Sequence, residues 1–244
     1  MKVFSVYGIS DSGKTTTIEN LIKGLKNRGY SVGSVKEIHS EAFAIDTEGS
    51  NTYRHKQAGA ELVTARGMYE TDVLFPKKLP IDDILELYTQ DYVVLEGVTD
   101  SEVPKILCAP DIQQIEEKLD DTVFAISGVI SNEISESRGL PVINAITKAE
   151  KLVDLVEQRV FKKLPNLNCG LFGRTCQQMA VDILKGVSSR DDCKVTKGSV
   201  EVLINGKKLE MVPFVRDIVE STVRGLLSSL RGYEPGSISI NIRD

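Results

Sequence analysis

The chain has no basic excess. Of its 244 residues, 30 are Lys or Arg and 35 are Asp or Glu, a formal net charge of -5. A protein that follows a nucleic-acid backbone must neutralise many phosphates, so this balance argues against broad nucleic-acid binding. One nucleotide held in a local loop needs no such excess. Long apolar runs are missing too: none approaches the ~18 residues that a membrane span requires. The N-terminus enters a strand pattern at once, without a leader-like segment. These absences predict a cytoplasmic protein with neither membrane nor nucleic acid as partner. Histidine is limited to His39 and His55, each read as a surface or packing residue. Cysteine is sparse and uneven: Cys108 stands alone, while Cys169, Cys176 and Cys193 crowd into one short region. In a reducing compartment that crowding favours metal binding over disulfides. What is present is ordinary globular material, 41% hydrophobic and 27% charged, in a length that suits one large or two ordinary domains.

The most informative stretch is residues 2–16, KVFSVYGISDSGKTT. It reads as a buried strand, a glycine-bounded loop and the first turn of a helix, and it fits G-x-x-x-x-G-K-[ST] at Gly8, Gly13, Lys14 and Thr15. Such a loop wraps a triphosphate closely enough for successive backbone N–H groups to donate to it. Gly8 and Gly13 permit the tight backbone, and the helix N-terminus adds partial positive charge. The binding set is therefore Gly8, Ser10, Asp11, Ser12, Gly13, Lys14, Thr15 and Thr16. Lys14 is expected to reach the outer phosphates and the Thr15 hydroxyl to ligate magnesium.

Ile18, Leu21, Ile22 and Leu25 form an apolar stripe on the helix that follows, and Gly29 suits its C-terminal cap. Residues 30–36 supply a second strand, so a parallel α/β sheet is expected, with chemistry just beyond the carboxyl ends of its strands. The polar stretch after Lys36 occupies a switch-like position, and Asp46 is its candidate carboxylate for magnesium. Residues 51–60 suit a helix carrying Arg54, His55 and Lys56. Residues 62–66 and 72–75 suit a hairpin around Gly67, and a helix opens at Pro80 and runs to Tyr88. Residues 91–97 form a buried strand ending in Glu96, placed to hold metal-bound or attacking water. Further strands fall at 104–108 and 122–127. Thr147-Lys148-Ala149-Glu150 echoes a guanine-binding motif, but a capping box before the stripe Leu152, Val153, Leu155 and Val156 explains all four residues.

Together with the phosphate loop, several blocks resemble the molybdopterin-guanine dinucleotide biosynthesis protein B family over residues 1 to about 160. They are Val35–His39, Asp46–Gly49, Tyr53–Lys56 with Ala58–Ala60, Leu95–Gly97 and Pro104–Ile106. The resemblance implies a P-loop fold that binds GTP with magnesium and hydrolyses it slowly, with Lys14, Glu96 and Asp46 as the catalytic set and Thr15, Asp46 and Glu96 around the metal. It implies a homodimer that partners the molybdopterin guanylyltransferase and other molybdopterin-processing proteins. The chain departs from the family pattern at Glu37, Ser50, Asn51 and Gly128, where histidine, lysine, aspartate and aspartate are usual.

Residues 162–168 are polar and broken by Pro165, which sets domains at 1–163 and 164–244. The second reads as a small α+β domain. It has a helix over 175–184, a hairpin around Asn205-Gly206, a helix over 214–230 and a final strand through Ile238, Ile240 and Ile242. Its run Cys169 to Cys176, then Cys193, resembles a four-cysteine iron–sulfur motif of archaeal corrinoid proteins and of extended members of the same family. Phe172 stands where that motif has its second cysteine, and one residue is missing before Cys176. Three thiolates suffice for a three-iron cluster, or a four-iron cluster with an outside ligand; zinc and no metal remain alternatives. Two further functions stay open: a P-loop small-molecule kinase, which lacks its expected arginine-rich lid here, and a non-catalytic iron–sulfur adapter switched by nucleotide.

Overall fold

The structure is a computed structural model. It describes residues 1–40, 43–170, 173–193, 195, 200–234, 236–240 and 242, with only the backbone of 207 and 208. The chain divides into two compact units, Met1–Lys163 and Leu164–Asp244.

The first unit is an α/β layer structure. Its strands are β1 (Lys2–Tyr7), β2 (Val32–Lys36), the hairpin strands β3 (Val63–Arg66) and β4 (Thr71–Leu74), then β5 (Tyr92–Glu96), β6 (Lys105–Cys108) and β7 (Val123–Ser127). Two short strands, β8 (Glu136–Ser137) and β9 (Leu140–Pro141), follow. Its helices are α1 (Lys14–Asn27), α2 (Asn51–Gln57), α3 (Ile81–Leu85), α4 (Ile112–Lys118) and α5 (Ala149–Arg159). The main sheet is parallel throughout, in the order β2-β5-β1-β6-β7. Strands covered on both faces must be apolar along their length. Val3, Phe4 and Val6 of β1 and Val93, Val94 and Leu95 of β5 are accordingly fully buried. Each such side chain contributes roughly 1.5–3 kcal/mol relative to exposure.

The α1 stripe buries Ile18, Leu21 and Leu25. Gly24 lets α1 approach α5, since a Cβ there would lie 2.5 Å from Val153 Cγ2. Arg28, just past α1, pairs with Glu150, Asp154 and Glu157 of α5 and fastens the two helices at their ends.

Several sequence-derived boundaries change. The capping box of Thr147 and Glu150 does not form: Asn144 Oδ1 takes the Ile146 and Thr147 N–H groups at 2.9 Å each, and Glu150 is drawn to Arg28 at 2.7 Å. The helix α5 begins at Ala149 nevertheless, because its apolar face and not its cap decides it. The helix opened by Pro80 stops at Leu85 instead of Tyr88, whose hydroxyl donates to Ser34 O at 2.6 Å while its ring lies over Gly33. The helix expected over 51–60 closes at Gln57, where Gly59 takes a left-handed φ of 100°.

The second unit holds α6 (Cys176–Leu184), the two-residue strands β10 (Leu203–Ile204) and β11 (Lys207–Lys208), and α7 (Pro213–Ser228). Thr175 and Gln178 cap α6 reciprocally, with N–H to side-chain distances of 3.1 and 2.8 Å. Asn205 and Gly206 both have the positive φ that a type I′ turn needs, 51° and 77°. The final strand is not formed among the described residues 238–240 and 242: alternation supplies a face but no partner edge, and Ile240 and Ile242 are exposed. Phe172 and residue 241 lie outside the described residues.

Candidate functional site

The carboxyl ends of β1, β5 and β2 lie side by side at one edge of the sheet. In an open parallel sheet the crevice lies beyond the strand carboxyl ends where the chain departs in opposite directions. Here β1 is the middle strand, its chain crossing to β2 on one side while β6 and β7 lie on the other. Residues 8–13 leave β1 at that point and feed α1.

Main-chain atoms of neighbouring strands fix the loop. Gly8 has φ 149°, and a Cβ there would fall 2.0 Å from Cys108 O at the end of β6. Beyond β7, Gly128 has φ 86°, and its Cβ would fall 2.1 Å from Ser12 O. The adjacent Val129 N–H donates to Ser12 O at 3.2 Å. Asp11 and Gly13 also adopt positive φ, 58° and 92°. Gly13 is the N-cap of α1 without any side-chain cap, and the first turn carries no acidic residue. The leading N–H groups of α1 are therefore not satisfied by a cap, which suits an anion.

The polar side chains gather at the same edge. Lys14 Nζ rests on Ile9 O at 2.5 Å, within the loop. Thr15 Oγ1 donates to Glu96 Oε1 at 3.0 Å, joining α1 to the end of β5. Lys36, at the end of β2, places its Nζ 3.0 Å from the same oxygen. Ser10, Asp11 and Thr16 are exposed, whereas Ser12 is buried with an Oγ that has no partner among the described residues. A hydroxyl and a carboxylate are hard oxygen donors of the kind magnesium takes, so Thr15 and Glu96 fit the expected cation and the loop fits the phosphates.

Asp46 is placed otherwise. It accepts from Ser50 and Thr52 hydroxyls at 2.7 and 2.8 Å and pairs with Lys56 at 2.8 Å. Lys56 above all, then those hydroxyls, pull its carboxyl down to about 2. These partners all belong to its own segment, and neither Thr15 nor Glu96 is among them. It organises the N-terminus of α2, where Ser50 accepts the Tyr53 N–H at 3.0 Å. Arg54 and His55 are exposed on α2, and His39 is exposed before it. Cys108 is buried beneath the loop, its thiol pushed up to about 12 by burial and its Sγ 3.5 Å from Thr17 Oγ1. Lys36 was absent from the candidate set drawn from the sequence. Its place at the carboxyl end of a strand is the signal the sequence carries, whereas its nearness to Glu96 comes from the fold.

In the second unit Cys169, Cys176 and Cys193 line one cavity of about 310 Å³ with Met179, Arg174 and Asp192. None is in a disulfide. Among the described residues no group of three His, Cys, Asp or Glu is close enough to hold a single metal ion. Also among them, no helix is long and apolar enough to cross a membrane.

Comparison with known proteins gives the geometry a context. Residues 3–131 match the family model MobB, described as molybdopterin guanine dinucleotide synthesis protein B. A relative from Methanocaldococcus jannaschii, named as a molybdopterin-guanine dinucleotide biosynthesis adapter protein, is 29% identical over 246 residues, covering 99% of this chain and 97% of its own. A Haemophilus influenzae protein with that adapter name is 30% identical over 165 residues, covering 64% of this chain and 87% of its own. The crystal structure of Bacillus subtilis MobB superposes with a TM-score of 0.55 at 24% identity, over 67% of this chain and all of that one.

Proposed function

The chain belongs to the molybdopterin guanine dinucleotide synthesis protein B family, and from that premise we propose that it is a GTP-binding adapter for guanylation of molybdopterin in molybdenum cofactor biosynthesis. In this reading it binds GTP with magnesium at residues 8–16, hydrolyses it slowly, and works in the cytoplasm as a homodimer beside the guanylyltransferase. The adapter names of the relatives support the pathway. The observation that carries the site is the 3.0 Å contact between Thr15 and Glu96 across the mouth of an uncapped α1.

Lys14 would leave Ile9 O and neutralise the outer phosphates, while the loop N–H groups orient them. Thr15 and Glu96 would hold the cation, which supplies charge neutralisation between the phosphates. Glu96, which accepts from Thr15 at the end of β5, would orient the attacking water. Glu96→Gln is expected to slow single-turnover hydrolysis by about a hundredfold while weakening GTP binding by less than about tenfold. An unchanged single-turnover rate would remove the role given to Glu96. Titration with GTP, ATP and CTP tests the guanine preference, and preference for ATP would favour a small-molecule kinase instead.

For the second unit we propose an iron–sulfur cluster on Cys169, Cys176 and Cys193. A cluster takes its thiolates on several irons, and the support for it is that the three cysteines line one cavity. Protein purified without oxygen should carry iron and labile sulfide, both lost in Cys176→Ser and Cys193→Ser. A colourless, iron-free preparation from an iron-replete host counts against the cluster.

A further inference from the structure

We propose that Lys36 is a tethered cation that competes with the divalent metal for the Glu96 carboxylate, and so sets how much magnesium the nucleotide site requires. The inference rests on the nucleotide reading above and adds a control to it.

Lys36 and Glu96 are register partners on adjacent parallel strands, and both close their strands. The backbone locks that register at the sheet edge, where Glu37 N–H donates to Glu96 O at 2.9 Å. Both side chains therefore start from the same edge of the sheet. The Lys36 ammonium and the Thr15 hydroxyl each stand 3.0 Å from one atom, Glu96 Oε1. A single oxygen thus serves the hydroxyl a phosphate loop offers its metal and a fixed positive charge.

The two partners differ in freedom. The Glu96 side chain is 14% exposed and the Lys36 side chain 58%. The carboxylate is held, while the lysine has solvent into which to withdraw. A dication bound beside Thr15 and Glu96 would face the ammonium at a few ångströms, a separation at which like charges repel strongly in a partly buried setting. Metal and ammonium therefore exclude each other. Two other lysines have contacts of their own, Lys14 with the Ile9 carbonyl at 2.5 Å and Lys78 with Glu37 at 2.6 Å.

The test is equilibrium GTP binding by the full chain over a magnesium series, comparing the native protein with Lys36→Met, Lys36→Arg and Lys78→Met. Lys36 lies at an exposed edge, so the substitutions should fold, as thermal melts will verify. Lys36→Met is expected to lower the half-saturating magnesium concentration about fivefold. Lys36→Arg, which keeps the charge, should match the native protein. Lys78→Met, which removes a neighbouring charge from a different carboxylate, should change it by less than about twofold. An unchanged or raised magnesium requirement in Lys36→Met overturns the proposal, and an equal fall in Lys78→Met reduces it to bulk charge and also overturns it. If the native protein binds no GTP at any magnesium concentration, the nucleotide reading itself fails. Magnesium-dependent binding that ignores Lys36 defeats only the competition.

Discussion

Lys14→Ala abolishes nucleotide binding, with GTP affinity falling at least about a hundredfold, an effect of ~3 kcal/mol. The expectation follows from where the charge stands. The Lys14 ammonium lies within the loop, 2.5 Å from a neutral carbonyl, and pairs with no carboxylate among the described residues. Its charge is thus available to an anion at no expense in broken ion pairs. The loop shape, by contrast, does not depend on it: the curvature comes from Gly8, Gly13 and the contacts of Ser12 with Gly128 and Val129. The variant should therefore melt within a few degrees of the native protein while showing no heat in a GTP titration. Retained affinity in calorimetry would dismiss residues 8–16 as the binding loop.

Gly128→Ala is expected to cause a large loss of stability. Gly128 has φ 86° and ψ −158°, a region essentially confined to glycine, and adopting it with a side chain costs on the order of 1–3 kcal/mol. The added Cβ would also lie 2.1 Å from Ser12 O and 3.1 Å from Ala109 N. Both neighbours are backbone, so neither can rotate aside as a side chain would. The sum is on the order of 3 kcal/mol or more, roughly a 10 °C fall in the melting temperature of a unit this size. Because the displaced atom belongs to the phosphate loop, GTP affinity should fall as well. A native-like melt together with native affinity would contradict the close approach. The same geometry accounts for the family departure at this position: with the backbone as it stands, an aspartate cannot occupy residue 128.

Much of this architecture is legible in the residues. Apolar runs at 2–7, 92–96, 105–108 and 123–127 can only be buried strands, and the stripe from Ile18 to Leu25 can only be a helix face against them. The phosphate loop is readable because its glycine spacing is a backbone requirement. What stayed hidden depends on partners remote in sequence. Asp46 has the same composition whether it serves a metal or Lys56, and only the fold shows that Ser50, Thr52 and Lys56 claim it. Glu150 fits a capping box locally, but Arg28, far away in the chain, attracts it more strongly. Ile238, Ile240 and Ile242 alternate as a strand should, yet a strand is a pairing and alternation names no partner. Lys36 became meaningful only once β2 and β5 were known to be neighbours in register.

The clamp on the phosphate loop has an evolutionary side. Its contacts at Gly8 and Gly128 are made by the carbonyl oxygens of Cys108 and Ser12, and a carbonyl is the same atom in every amino acid. In this chain the geometry is therefore nearly indifferent to which side chains stand at Cys108 and Ser12, and demanding at the two glycines. Side chains at those two supporting positions can change while the cradle keeps its shape. A relative that carries aspartate at the position of residue 128 cannot share this backbone there, so one side chain decides which form of the cradle is built.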